Sequence, residues 1–279
     1  MLNFVSDIFV ENYVGGAELT TEAIINGSGQ DVRKILSKDI TPEIISKYEN
    51  EKWIFGNLTQ VRPELLIPFF SRQLDYHMIE YDYKCCVHRI PEMHKRMTGV
   101  CCDKTTLGDL IYSFFYHSKT LWFMSEGQKN WYENTFTLLR QHKNSHVLSS
   151  IFDEQTIKTL ASLDCSNKNN VYLIQEHPHP LKGTQQGIQY AKENNLEYEL
   201  FSKLPYEKVL EKFAQSRGFI FLPTEFDTCP RVTIEAKMLG CDVITNENVQ
   251  HRDEEWFNKD SSSIVLHMRE RLEFFWNTI

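Results

Sequence analysis

The second half of the chain alternates short apolar runs with amphipathic stretches, and the alternation is regular enough to read as a layer. Residues 171–175 (VYLIQ) form a β-branched run of strand length, and residues 183–194 carry a helical pattern closed by Asn194-Asn195. Residues 198–202 (YELFS) read as the next strand. Pro205 then opens a helix in which Val209, Leu210 and Phe213 recur at helical spacing. Residues 219–223 (FIFLP) are almost wholly apolar, as in a strand buried on both faces. A helix through IEAKML ends at Gly240, and residues 242–245 (DVIT) return to strand. Strands and helices alternating at this interval predict a parallel, Rossmann-like α/β sheet covered on both faces. Ligands of such sheets gather beyond the carboxyl ends of the strands. That rule singles out residues 175–183, 202–205 and 224–232.

The first half is less regular. Residues 52–57 (KWIFGN), 77–83 (HMIEYDY) and 120–125 (TLWFMS) read as strands, residues 128–140 as a helix, and a helical run begins at Ala17 just behind Gly15-Gly16. HVLSSIF looks like a strand entering the second lobe, so the pattern predicts two domains, 1–149 and 150–279. The closing stretch MRERLEFFWNTI reads as a terminal helix.

Of the 279 residues, 41% are hydrophobic and 13% aromatic, which suits a globular chain and excludes a disordered one. A net charge of −8 argues against broad contact with nucleic acid backbones, leaving nucleic acid a place only as an acceptor molecule. No window approaches the roughly 18 apolar residues of a membrane span, and the N-terminus lacks the basic flank of a secretory leader. Seven cysteines are an odd number, which disfavours a disulfide framework and predicts a cytoplasmic protein.

Two features carry chemistry on their own terms. Gly15 and Gly16 precede a helix start, where a chain without side chains lets an anion approach backbone amides. Residues 227–232 link a buried strand to a helix, so the loop amides and the positive helix end point at one spot suited to a diphosphate. Glu235, one turn inside that helix, can accept two hydrogen bonds from adjacent hydroxyls such as those of a ribose. The bland alternative is that Asp227 and Glu235 are acids complementing the helix dipole. Cys85, Cys86, His88, His94, Cys101 and Cys102 hold enough donors for zinc, but two adjacent cysteine pairs lack the C-x2-C spacing. The expectation there is no metal, with buried thiols or a disulfide instead. HRDEEWFN matches a kinase catalytic loop by letter, yet neither D-F-G nor a Gly-rich loop with its lysine accompanies it, and the match is read as chance.

Residues 221–246, FLPTEFDTCPRVTIEAKMLGCDVITN, resemble the signature of retaining nucleotide-sugar glycosyltransferases of the GT-B fold, particularly family 4. Asp227 and Glu235 stand at the E-x7-E spacing, followed by Ala236 and Gly240, with Asp in place of the first Glu. Upstream, Lys182-Gly183 is similar to the family's R-x4-K-G, with His177 at the arginine position. YVGGAE resembles the Gly-Gly-Ala-Glu opening of many members. EYDYKCCVHRIPEMHKRMTGVCCD resembles an H-D-Y segment followed by Cys, Gly and Cys, with Tyr81 where the histidine stands and His88 as a candidate substitute.

The resemblance implies two Rossmann-like domains facing across a cleft, a C-terminal helix crossing back, and transfer of a sugar from a nucleoside diphosphate to an acceptor hydroxyl with retention. It implies that Lys182, Asp227 and Arg231 act in catalysis, Arg231 replacing the cation lost at His177. Donor binding falls to Gly15, Gly16, His177, Gly183, Thr228, Cys229, Pro230, Val232 and Glu235, with residues 228–230 offering backbone amides to the sugar. No cofactor is expected beyond the nucleotide-sugar co-substrate, and the absence of D-x-D predicts metal independence. The acceptor stays open among glycans, lipids and other hydroxyl compounds. The rival readings are a nucleotide-sugar-binding protein without catalysis and a transferase acting on hydroxylated DNA bases.

Overall fold

The computed structural model describes residues 1–279. The chain divides into two compact units, Met1–Ile151 with Arg271–Ile279, and Phe152–Glu270. No helix is long and apolar enough to cross a membrane.

The first unit holds a six-stranded parallel sheet of order β2-β1-β3-β4-β5-β6, built from Leu2–Ser6 (β1), Val32–Leu36 (β2), Lys52–Phe55 (β3), Tyr76–Glu80 (β4), Leu121–Phe123 (β5) and Ser145–Val147 (β6). β1 and β2 have no counterpart in the sequence reading: LNFVS lacks alternation because all five residues are buried. HVLSSIF was expected to open the second lobe. It instead supplies β6, the edge strand of the first sheet, pairing Leu121 with Ser145. The expected helix over residues 128–140 runs from Glu126 to Thr135 and tightens into a 3-10 turn at Thr137–Gln141.

The aromatic share is concentrated beneath this sheet. Trp53, Phe55, Phe69, Tyr76 and Phe114 meet edge to face or stacked at centroid separations of 4.6–5.2 Å in their closest pairs, all fully buried. Each such side chain contributes roughly 1.5–3 kcal/mol through burial alone. The last part of the helix Ser261–Thr278 belongs here too: Phe275 packs 5.0 Å from Trp122, and Trp276 Nε1 donates to the Ile24 carbonyl. The expected C-terminal helix crossing back is found here, so the boundary at 149/150 holds except for Arg271–Ile279, which belong to the first unit.

The second unit carries a four-stranded parallel sheet, order β10-β9-β7-β8, from Tyr172–Gln175 (β7), Tyr198–Phe201 (β8), Gly218–Phe221 (β9) and Asp242–Thr245 (β10). Helices Thr184–Glu193, Tyr206–Gln215 and Arg231–Met238 connect them. β9 is central and buried along its whole length, as its apolar run predicts. Tyr172, Ile174, Ala191 and Ile220 form one core layer. Phe201, Phe213 and Phe219 form another, with the Phe213 and Phe219 rings 5.0 Å apart.

Candidate functional site

The chain leaving β7 is brought hard against the end of β9, and a glycine makes this possible. Gly183 has φ +74°, and a Cβ there would lie 1.9 Å from the Leu222 carbonyl oxygen. Only glycine satisfies both the left-handed backbone and that approach. The contact is locked by the Thr224 N–H donating to the Leu181 carbonyl, and by Thr184 Oγ1, which donates to Gln175 O and accepts from the His177 N–H. Lys182 is thereby aimed at the next loop: its Nζ donates to Asp227 Oδ2 at 2.7 Å while the side chain stays 41% exposed.

His177 sits beside this pair. Its Nδ1 accepts the His179 N–H at 3.0 Å, and burial, aided by the Lys182 charge, pushes its pKa below the ordinary histidine value. The imidazole is therefore neutral at pH 7 and adds a hydrogen-bonding edge without a second cation.

A further loop, beyond β10, holds the Asp227 loop in place. Asn246 and Asn248 each donate their side-chain amide to the Pro223 carbonyl at 2.8 Å, and the Asp227 N–H and C=O bond the Asn248 C=O and Gln250 N–H. Asp227 and Val249 thus form a parallel bridge. Asn246, Asn248 and Gln250 did not stand out as site residues in the sequence, since an asparagine serving a distant carbonyl has no local signature. His251 anchors the same loop from below: it is fully buried, its Nε2 lies 3.2 Å from Thr233 Oγ1, and burial drives its pKa down to about 3. The kinase-like letters around it are structural.

At the start of the helix Arg231–Met238 the expected amide set is smaller than the resemblance implies. Thr228 and Cys229 are buried and Val232 half-buried. Pro230 has no N–H to offer; as N-cap it presents its carbonyl, which accepts both the N–H and the hydroxyl of Thr233. Arg231, put forward as a second cation for a diphosphate, is 4% exposed. Its Nε donates to Glu235 Oε1 at 2.9 Å, and its guanidinium lies 3.7 Å over the Phe152 ring. Tyr206, from the preceding helix, donates its hydroxyl to the same Oε1 at 2.7 Å. A buried carboxylate with two charge-assisted or hydroxyl donors on one oxygen is held in a single rotamer. It keeps acceptor capacity for a ligand, since an ionised carboxylate has about four lone-pair sites.

Gly15 and Gly16 lie in the first unit, Gly15 as the N-cap of the helix Gly16–Asn26. A Cβ on Gly15 would meet Glu18 Oε2 at 2.5 Å, so the bare backbone is what lets this turn close over Glu18. Tyr81 is 7% exposed and its hydroxyl bonds Thr21 Oγ1 at 2.7 Å, a role inside this unit, while His88 is exposed. An unforeseen buried network adjoins it. Lys84 Nζ lies 3.0 Å from Glu80 Oε2, both side chains fully buried, and Tyr132 donates to Glu80 Oε1 at 2.9 Å. Burial raises the Glu80 pKa to about 7 against the pull of Lys84.

Two parallel Rossmann-like sheets of six and four strands, with a cation and acids at the carboxyl ends of the second sheet, define the GT-B fold. No family model and no curated protein matches the sequence. Solved structures do match in fold. The catalytic domain of starch synthase IV from Arabidopsis thaliana, bound to ADP and acarbose, superposes with TM-score 0.58 at 9% identity, covering 99% of this chain and 94% of that one. An α-glucosyltransferase in complex with UDP and a 13-mer DNA containing an HMU base gives 0.55 at 9% identity, covering 99% and 90%. Anabaena HepE in complex with UDP and glucose gives 0.52 at 12% identity, covering 99% and 91%.

Proposed function

We propose that this protein is a retaining glycosyltransferase, moving a sugar from a nucleoside diphosphate to an acceptor hydroxyl. The observation that carries the reading is the Lys182–Asp227 pair, set at the carboxyl ends of β7 and β9 beside the helix that presents Glu235. The fold shared with structures solved with UDP or ADP supports it.

In this reading Glu235, fixed by Arg231 and Tyr206, accepts the ribose hydroxyls. Lys182 exchanges Asp227 for the diphosphate and stabilises the charge that grows as the sugar–phosphate bond breaks. Asp227, released from the ammonium, takes sugar hydroxyls. Neutral His177 and the amides of Thr228, Cys229 and Val232 add hydrogen bonds. The acceptor attacks the face that the diphosphate leaves, and a departing phosphate oxygen takes the acceptor proton, so no carboxylate base is required. Lys182 and the helix dipole do the electrostatic work, which makes the transfer independent of an added divalent ion. No cofactor takes part, and the protein works in the cytoplasm.

A second reading of the acceptor is a hydroxylated DNA base, favoured by the likeness to the α-glucosyltransferase solved with DNA carrying an HMU base. The test is a thermal-shift screen of nucleotide sugars followed by assay of nucleoside diphosphate release. Stabilisation by one donor, with release accelerated by glycan, lipid or hydroxymethylated DNA, identifies the acceptor class. Tight donor binding with no release under any condition overturns transfer and leaves a binding protein.

A further inference from the structure

The first unit contains a second constellation of chemically active side chains, independent of the sugar-transfer reading. Cys86, His94 and Cys102 converge at the carboxyl side of β4, buried, with their ligand atoms within 4.8 Å of one another. The imidazole Nδ1 of His94 faces both thiols, 3.4 Å from Cys86 Sγ and 3.9 Å from Cys102 Sγ. Cys85, Cys86 and Cys102 are each at most 1% exposed.

We propose that Cys86, His94 and Cys102 bind a zinc-type ion that staples this segment. Tetrahedral zinc with bonds of about 2.3 Å to sulfur and about 2.0–2.1 Å to nitrogen separates its donor atoms by about 3.6 Å. The two sulfur–nitrogen distances, 3.4 and 3.9 Å, bracket that value before any ion is added. Two thiolates and an imidazole select a borderline-soft ion over magnesium or calcium.

C-x2-C spacing, which brings two thiolates to one ion from a single turn, is not needed in this segment. This chain draws one principal ligand from each cysteine pair and the third from the helix Pro91–Thr98 between them. Gly99, at φ +71°, reverses the chain after that helix and returns it to Cys102. Cys102 is then held rigidly: Thr105 Oγ1 donates to its carbonyl, and a Cβ at Gly108 would lie 1.9 Å from that same oxygen. A disulfide between Cys86 and Cys102 would leave the inward nitrogen of His94 with no task. All seven cysteines are free.

The intact chain, purified reduced and with a tag lacking histidines, is analysed by elemental mass spectrometry and by cobalt(II) titration after the resident metal is stripped. The expected result is about one zinc per chain and a thiolate-to-cobalt charge-transfer band. His94→Ala and Cys102→Ser should cut the metal content at least fivefold, His94→Cys should retain it, and Cys165→Ser should not change it. If the first two variants do not fold, the wild-type titration decides alone. Absence of both zinc and the cobalt band overturns the proposal, as does a Cys86–Cys102 disulfide in the non-reduced peptide map.

Discussion

Lys182 Nζ and Asp227 Oδ2, 45 residues apart in the chain, lie 2.7 Å apart and join the loops beyond β7 and β9. The ammonium is thus partly neutralised before any ligand arrives, and a diphosphate has to compete with Asp227 for it. This makes the pair a latch whose two halves affect binding and turnover differently.

Removing the two halves should give opposite effects on diphosphate affinity. Lys182→Ala should weaken nucleoside diphosphate binding and lower turnover by roughly 10²- to 10³-fold, the usual value of one lost donor to developing charge. Asp227→Asn removes the competitor, so diphosphate should bind more tightly while turnover falls because the sugar loses its acceptor. Calorimetry and steady-state rates on both variants check this. A weaker diphosphate complex in Asp227→Asn rules out the latch.

Glu235→Ala should weaken nucleoside diphosphate binding by roughly 1.5–3 kcal/mol, as for hydrogen bonds to a charged acceptor. Arg231→Ala should act on the same step by freeing Glu235, so the double variant should cost much less than the two single losses combined. Additive losses in calorimetry would return Arg231 to the diphosphate.

The transfer should not need an added divalent ion. Brief treatment with EDTA, too short to strip an ion bound by buried thiolates, should leave the rate unchanged. Recovery of a chelator-abolished rate by magnesium or manganese contradicts the role given to Lys182.

His251 should make the second unit acid-sensitive. Its pKa lies near 3 in the fold against about 6.5 unfolded, so the unfolded chain binds the extra proton. The stability this neutral histidine contributes is full above pH 6.5 and falls, by up to about 1.4 kcal/mol per pH unit, as pH drops toward 3. His251→Gln should flatten that part of the profile. Denaturant melts of both proteins at pH 7 and pH 5 that fall by equal amounts would refute the assignment.

Gly183→Ala should destabilise the second unit by a few kcal/mol, because it adds a left-handed alanine and forces the chain away from the Leu222 carbonyl. Nucleotide binding should weaken in parallel as Lys182 is displaced. A variant with wild-type melting temperature would show that the close approach is dispensable.

The strand–helix rhythm after residue 170 was legible because each element there buries its own apolar run, and local periodicity reports that directly. Lys182-Gly183 was legible only through its resemblance to R-x4-K-G; the left-handed turn at Gly183 and its approach to the Leu222 carbonyl came from the structure. The spacing of Asp227 and Glu235 follows from one loop and one turn of helix. β1 escaped because a short strand buried throughout looks like any apolar run, β2 because VRKIL sets two cations side by side and shows no alternation, and β6 was assigned to the wrong sheet because strand pairing is a long-range choice.

What the sequence by itself determined is therefore whatever backbone geometry and burial demand within a dozen or so residues: the parallel layer and the acids at a helix start. Only the tertiary structure decided which partners those residues meet. It committed Arg231 to Glu235 and Phe152, placed Tyr206 on the same oxygen, and set Asn246 and Asn248 on the Pro223 carbonyl. It also drew His94 between two cysteines taken from separate pairs. A polar side chain's partner depends on which loops the sheet order brings together, and hydrophobic periodicity carries no record of that.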